Sequence, residues 1–185
     1  NAAVFVAKDA DLPWAAARCA WGAFYYSGQT CISVQRIFVE KDVHAEFRRL
    51  LVENIKGLIV GDPANENTDV GPLIDEKSAI RVEEWLKDAV SRGAKLWTGG
   101  PRNGLVIPPS LLEGVPVDCK LSCEEVFGPV ASVVMVKDYD EALAVANDTP
   151  FGLSSGVVTT SLKHASHYRK NAQAGMVMVN LPTAG

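Results

Sequence analysis

Apolar residues along the chain follow two alternating spacings. Short apolar runs typical of buried strands occur at 4–7, 34–39, 131–136, 155–160 and 176–180, with a further short run in AKLWTGG at 94–100. Between them, apolar residues recur every three or four positions and predict helices at about 11–28, 41–56, 75–92, 139–146 and 162–171. This alternation favours an α/β fold: an open, mainly parallel twisted sheet with helices on both faces.

Particular residues predict where the first of these helices begins and ends. Asp11 offers a cap for the first turn, and Pro13 suits that turn because its missing N–H would be unpaired there anyway. Gly28 is expected to end the helix. Further along, GDPANENTDVGP at 61–72 is predicted to be a loop, and Pro108 and Pro109 interrupt the chain.

Composition fits one large domain with an ordinary packed core. The chain has 185 residues, of which 48% are hydrophobic, and its formal net charge is −4. No block of Lys or Arg suggests binding to nucleic acid or to an anionic membrane, and no apolar run has the length of a membrane span. We expect a cytoplasmic protein.

The two ends of the chain look cut. Asn1 leads directly into a strand-like run, and the sequence stops at LPTAG without a closing helix or polar tail. We therefore expect 1–185 to be a single domain excised from a longer protein.

The four cysteines do not resemble a secreted disulfide framework, which would be denser. Cys119 and Cys123 have a spacing that zinc sites use, but two further ligands are not evident, so no metal site is predicted. His164 and His167 share a helix face, for which solvation is the simpler explanation. No glycine-rich phosphate-binding motif is present, so the main phosphate site of any nucleotide should lie outside this chain.

Cys31 is the best candidate for a nucleophile. It lies in SGQTCIS at 27–33, a short connection between a helix and a strand where a side chain can face a cleft. Its neighbours are small or polar, and nearby peptide N–H groups could stabilise a thiolate. The residues alone leave two interpretations open: a reactive thiol, or a buried and inert cysteine.

Two further segments are unusual. In CEEVFGPV at 123–130, adjacent carboxylates should point to opposite faces, so Glu124 and Glu125 would have different roles; alternatively, both are solvated loop acids. In NDTPFGLSSGVV at 147–158, the chain passes from a helix to a strand, and Phe151 and Leu153 could line a pocket.

Taken together, these segments resemble the aldehyde dehydrogenase superfamily. GQTC, EEVFGPV and NDTPFGLSSGV match three of its signatures, and GDP at 61–63 and VGPLI at 70–74 are similar to its intervening loop. Order and spacing agree along nearly the whole chain. The segment YYSGQTCISVQRIFV is most similar to the sequences of one branch, the lactaldehyde and non-phosphorylating glyceraldehyde-3-phosphate dehydrogenases.

The resemblance implies a role for each matched position. Cys31 would be the nucleophile that attacks an aldehyde, and its backbone N–H would be one oxyanion donor. Glu125 would hold the nicotinamide ribose of NAD or NADP, with Phe127 packing near the nicotinamide. Thr30 and Ile32 would shape the aldehyde pocket. The parent protein would be a homo-oligomer.

The resemblance also implies that essential groups lie elsewhere. The cofactor domain, an Asn that completes the oxyanion hole, a general-base Glu just before Asn1 and a C-terminal oligomerisation segment would all be absent. We expect the chain alone to have little turnover. Two alternatives remain open: a thiol hydrolase that pairs Cys31 with a histidine, and a non-catalytic interaction module with this fold.

Overall fold

A seven-stranded sheet organises the chain. The computed structural model describes residues 1–181 and 183. The elements are β1 (Ala2–Val6), α1 (Leu12–Phe24), β2 (Val34–Glu40), α2 (His44–Lys56), α3 (Glu76–Ser91), β3 (Lys95–Thr98), β4 (Ser110–Glu113), α4 (Lys120–Cys123), β5 (Val130–Val136), α5 (Tyr139–Asn147), β6 (Ser154–Val158), α6 (Leu162–Asn171) and β7 (Met176–Val179). The strand order is β3-β4-β5-β2-β1-β6-β7.

Every neighbouring pair of strands is parallel except β3 with β4, which are antiparallel. Helices cover both faces of the sheet. On one face, α1 and α2 pack through Phe24, Phe47 and Leu51. On the other, α5 and α6 pack through Tyr139 and Tyr168. The predicted α/β class, with a mainly parallel sheet between two helical layers, is confirmed.

Helix α1 begins as predicted and ends early. The Asp11 carboxylate accepts a hydrogen bond from the N–H of Trp14 at 3.1 Å. The helix stops at Phe24, not at Gly28, because Tyr26 and Ser27 have φ values of 48° and 57°. Residues 25–28 form a single tight turn instead.

Two other boundaries also differ from the pattern. Residues 41–43 form a turn, so α2 begins at His44. Strand β4 follows Pro109 directly and was not predicted, because two prolines mask a run of only four residues. In the part of the chain that the structure describes, no helix is long and apolar enough to cross a membrane.

Candidate active site

The three unusual segments meet at one edge of the sheet. Each of them directly precedes a parallel strand: SGQTCIS precedes β2, CEEVFGPV precedes β5, and NDTPFGL precedes β6. The amino ends of parallel strands lie at the same edge, which brings the segments together. They enclose a small pocket of about 90 Å³, lined by Asn1, Ala2, Cys31, Glu125, Phe151, Gly152, Leu153 and Ser154.

Cys31 lines this pocket and lies on a tight turn. The N–H of Ser33 donates to the carbonyl of Thr30 at 3.1 Å, which closes the turn around the cysteine. The thiol is exposed. Among the described residues, the N–H of Cys31 has no hydrogen-bond acceptor, so it is free to donate to an oxyanion.

The other three cysteines have different environments. Cys19 and Cys119 are buried, and burial raises the pKa of Cys19 to about 12 and also raises that of Cys119. These two thiols are therefore unreactive. Cys123 is exposed but lies outside the Cys31 pocket. Because Cys123 is exposed like Cys31, it is a natural control for experiments on Cys31.

Side chains of the loop anchor it to the segment at 71–74. The Ser27 hydroxyl donates to the carbonyl of Gly71 and accepts from its N–H, both at 3.0 Å. The Gln29 amide accepts from the N–H of Ile74 at 2.9 Å and donates to the carbonyl of Pro72 at 3.3 Å. These contacts explain why polar residues surround Cys31 and fix the turn that presents its thiol.

The loop also touches the EEVFGPV segment, through backbone alone. Gly28 has φ +67°, and a Cβ built on it would lie 2.1 Å from the carbonyl oxygen of Gly128. Any side chain at position 28 would push the two segments apart. The close approach of these two glycines thus lets the Cys31 loop lie directly against the segment that carries Glu125.

The two adjacent carboxylates separate as predicted. Glu125 lines the Cys31 pocket, its side chain is 37% exposed, and one carboxylate oxygen lies 3.8 Å from the backbone nitrogen of Asn1. Glu124 is exposed and does not line the pocket. Phe151 and Leu153 line it, as the pattern suggested.

The remaining predicted site residues are neighbours of the pocket. Thr30 and Ile32 flank Cys31 and are half-buried, but neither lines the 90 Å³ space. Phe127 has φ +48° and is 41% exposed, just beyond Glu125. The structure therefore unites Cys31 and Glu125, whereas the roles of Thr30, Ile32 and Phe127 stay predictions.

Sequence reasoning missed Gln35, a buried amide in β2 that hydrogen-bonds to the backbone on both sides of Glu125. The available signal was a polar residue among the apolar residues of β2, although Arg36 and Glu40 in the same strand are also polar. Its partners lie about ninety positions away in sequence, with separations of 86, 89 and 91. No local pattern identifies contacts at that range.

The three histidines lie at the opposite edge. His44 opens α2, beyond the far end of β2, whose seven residues span roughly 20 Å at about 3.3 Å each. His164 stacks on Tyr139 at 4.3 Å, and His167 is hydrogen-bonded to the Tyr139 hydroxyl at 2.8 Å. No described histidine lines the Cys31 pocket, which argues against the thiol hydrolase alternative.

No group of three or more His, Cys, Asp or Glu side chains within residues 1–181 and 183 is arranged to hold a metal ion.

The parallel sheet and the exposed thiol at its amino edge define an α/β protein with a cysteine-centred pocket. The aldehyde dehydrogenase family model matches residues 1–185, and the chain belongs to that family.

Similar sequences and similar solved structures also belong to aldehyde dehydrogenases. The chain is 41% identical over 180 residues to a 3-sulfolactaldehyde dehydrogenase of Priestia aryabhattai, covering 97% of this chain and 38% of that protein. It is 38% identical over 180 residues to a lactaldehyde dehydrogenase of Methanococcus vannielii, with the same coverage. Aldehyde dehydrogenase 21 from Physcomitrella patens superimposes with a TM-score of 0.96 at 36% identity, covering 100% of this chain and 39% of that one.

A glyceraldehyde-3-phosphate dehydrogenase from Methanocaldococcus jannaschii, solved with NADP, superimposes with a TM-score of 0.95 at 35% identity. It too is covered only in part, since the match spans 100% of this chain and 40% of that one. The chain thus spans about two fifths of the length of the relatives that it matches.

Proposed function

We propose that this chain is the nucleophile-bearing domain of an NAD(P)-dependent aldehyde dehydrogenase, which converts an aldehyde to a carboxylic acid. One observation carries the proposal: an exposed Cys31 and a half-exposed Glu125 share one pocket at the amino edge of the sheet. The sulfur of Cys31 adds to the aldehyde carbon, and the carbonyl oxygen takes up the negative charge and then a proton. The product of this step is a thiohemiacetal on Cys31.

The free N–H of Cys31 stabilises the oxyanion that forms during this addition. Loss of a hydride and a proton then converts the thiohemiacetal to a thioester. Water adds to the thioester carbon, the carbon–sulfur bond breaks, and the carboxylic acid leaves with the thiol restored. Covalent capture divides the oxidation into two easier steps.

NAD or NADP, when bound, supplies the hydride acceptor. The residues present fit that group, because the accessible Glu125 carboxylate can accept hydrogen bonds from the two ribose hydroxyls. Phe127 presents an exposed ring on the same segment, suited to packing on a nicotinamide. Thr30 and Ile32 shape the space around the aldehyde.

The general base, the second oxyanion donor and the rest of the cofactor site belong, in this proposal, to other parts of a longer protein. The coverage of about 38% of relatives such as the Priestia enzyme supports this division. The names of the relatives favour a short, oxygenated aldehyde as substrate. We further propose that the parent protein is a cytoplasmic homo-oligomer.

The experiment compares NAD(P)H formation by the full-length protein and by the isolated 185-residue chain, with lactaldehyde and related aldehydes. We expect the full-length protein to turn over and the isolated chain to be slower by at least two to three orders of magnitude, roughly the loss caused by removing one oxyanion donor. A full-length protein that oxidises no aldehyde would contradict the proposed activity. Comparable turnover by the isolated chain would contradict the division of groups.

A further inference from the structure

We propose that Gln35 is a positioning residue that holds the Glu125 carboxylate in place for the cofactor. This inference rests on the proposed function, because it assumes that Glu125 binds the ribose. Gln35 does not touch the Cys31 pocket itself. It acts through the backbone of the segment that carries Glu125.

The Gln35 amide is almost completely engaged with that segment. Its nitrogen donates to the carbonyls of Leu121 and Glu124 at 3.1 and 3.0 Å, and its oxygen accepts from the N–H of Val126 at 3.2 Å. The residue is only 4% exposed. Both amide hydrogens and the carbonyl oxygen are therefore in use, and the peptide groups on either side of Glu125 are fixed.

Gln35 lies in β2, the strand that directly follows the Cys31 loop. Gln35 lies four positions after Cys31, and its own carbonyl accepts a hydrogen bond from Ser132 in β5 at 3.2 Å. Val126 turns its side chain into the core, where it is 1% exposed. Val126 is thus buried and its N–H is held, while the side chain of Glu125 just before it lines the pocket.

Each of the other contacts reaches only one part of this segment, and the backbone nitrogen of Asn1 lies 3.8 Å from the Glu125 carboxylate itself. The Asn1 amide donates to the carbonyl of Glu124 at 3.2 Å and is itself held by Arg36 at 2.8 Å. The contact of Gly28 with Gly128 is three residues beyond Glu125. Within the described residues, Gln35 is the side chain whose hydrogen bonds reach both flanks of Glu125.

The test is made in the full-length enzyme with Gln35→Met, which keeps the length of the side chain and removes all three hydrogen bonds. We expect the KM for NAD(P)+ to rise about tenfold with a smaller change in kcat, because a displaced carboxylate weakens cofactor binding. Without cofactor, the rate at which iodoacetamide alkylates Cys31 should stay within about twofold, since Ser27 and Gln29 anchor that loop independently.

A double-mutant cycle with Glu125→Gln separates positioning from general destabilisation. If Gln35 acts through Glu125, adding Gln35→Met to Glu125→Gln should raise the KM by no more than about twofold. The inference would be overturned if the KM increases of the two single variants multiply in the double variant. It would also be overturned if Gln35→Met leaves the KM unchanged. An unchanged KM in Glu125→Gln would instead overturn the ribose role of Glu125, so the two failures are distinguishable.

Asn180→Gly is the matched control. The Asn180 amide also makes paired hydrogen bonds to backbone, with the N–H and carbonyl of Thr159 at 2.9 Å each, but at the opposite edge of the sheet. Glycine tolerates the φ of +51° found there. Asn180→Gly should lower the melting temperature and leave the KM for NAD(P)+ unchanged.

Should Gln35→Met not fold, Gln35→Glu serves the same test, because it retains the acceptor for the N–H of Val126 and loses both donors.

Discussion

The two edges of the sheet differ in what their polar groups do. The carboxyl edge has the larger cavity, about 440 Å³, lined by Lys8, Glu40, Asp138, Tyr139, Asp140, Lys163, His164 and His167. Open parallel sheets usually bind ligands at this edge. Several of its groups nevertheless pair with each other: Lys8 with Glu40 at 3.4 Å, and Tyr139 with His167 at 2.8 Å. At the amino edge, the smaller pocket presents an exposed thiol.

Backbone conformation marks the same difference. Four described residues other than glycine have positive φ, and three of them, Tyr26, Ser27 and Phe127, lie in the amino-edge loops. Such conformations persist only where surrounding contacts impose them, and they are frequent at functional sites. In this molecule, local chemistry and backbone strain favour the amino edge, where the proposed chemistry takes place, whereas cavity size and the usual edge rule favour the carboxyl edge.

The largest effect should come from removing the nucleophile. Cys31→Ala in the full-length enzyme is expected to lower kcat by about four orders of magnitude or more, since in the proposed mechanism Cys31 forms the covalent intermediate. The steady-state rate of NAD(P)H formation measures this loss. Cys123→Ala, and a His164→Ala/His167→Ala double variant at the carboxyl edge, should stay within a few-fold of the parent. A comparable loss in the histidine variant would place the chemistry at the other edge.

A second effect concerns the glycine contact that joins the two amino-edge segments. Gly28→Ala should lower the free energy of unfolding by about 3–5 kcal/mol, because it adds an unfavourable positive φ and a clash with the Gly128 carbonyl. Gly104→Ala has a similar φ of +58° with nothing within 4 Å of the added carbon, so it should cost about 1–2 kcal/mol. Urea unfolding of both variants makes the comparison, and equal losses would show that the close approach is unimportant.

The smallest effect is a pH dependence away from the site. His44 is buried, with its Nε2 3.0 Å from Glu113 but out of line for a hydrogen bond. Burial lowers the pKa of His44, against the opposing influence of Glu113. Because the folded pKa lies below the unfolded value of about 6.5, the fold loses stability as the pH falls from about 6.5 through the folded pKa.

His44→Gln should reduce this acid sensitivity. Urea midpoints of the two proteins at about pH 7.5 and about pH 5.5 test it, and the midpoint should fall less in the variant. An identical fall in both proteins would mean that other groups are responsible.

Much of the fold was predictable because its signals are local. Asp75 caps α3 by accepting from the N–H of Ser78 at 2.7 Å, as the pattern around position 75 indicated. The early end of α1 was not predictable, since Tyr26 and Ser27 adopt positive φ only when the loop docks on Gly71 and Gly128. The antiparallel pairing of β3 with β4 likewise depends on contacts distant in sequence.

The site was predictable in part for a related reason. Cys31 and Glu125 each belong to a short motif just before a strand, so parallel topology suffices to bring them to one edge. Gln35 is different, because its importance depends on backbone groups of Leu121, Glu124 and Val126. Only the folded chain shows that a polar residue in β2 supports the neighbouring segment.

The most direct test is to trap the covalent intermediate. The full-length enzyme is mixed with an aldehyde and NAD(P)+, quenched in acid and digested, and each cysteine peptide is weighed by mass spectrometry. We predict an acyl group on Cys31 and none on Cys19, Cys119 or Cys123, although Cys123 is also exposed. An acyl group on another residue, with Cys31 unmodified during active turnover, would contradict the assignment of the amino-edge thiol as the nucleophile.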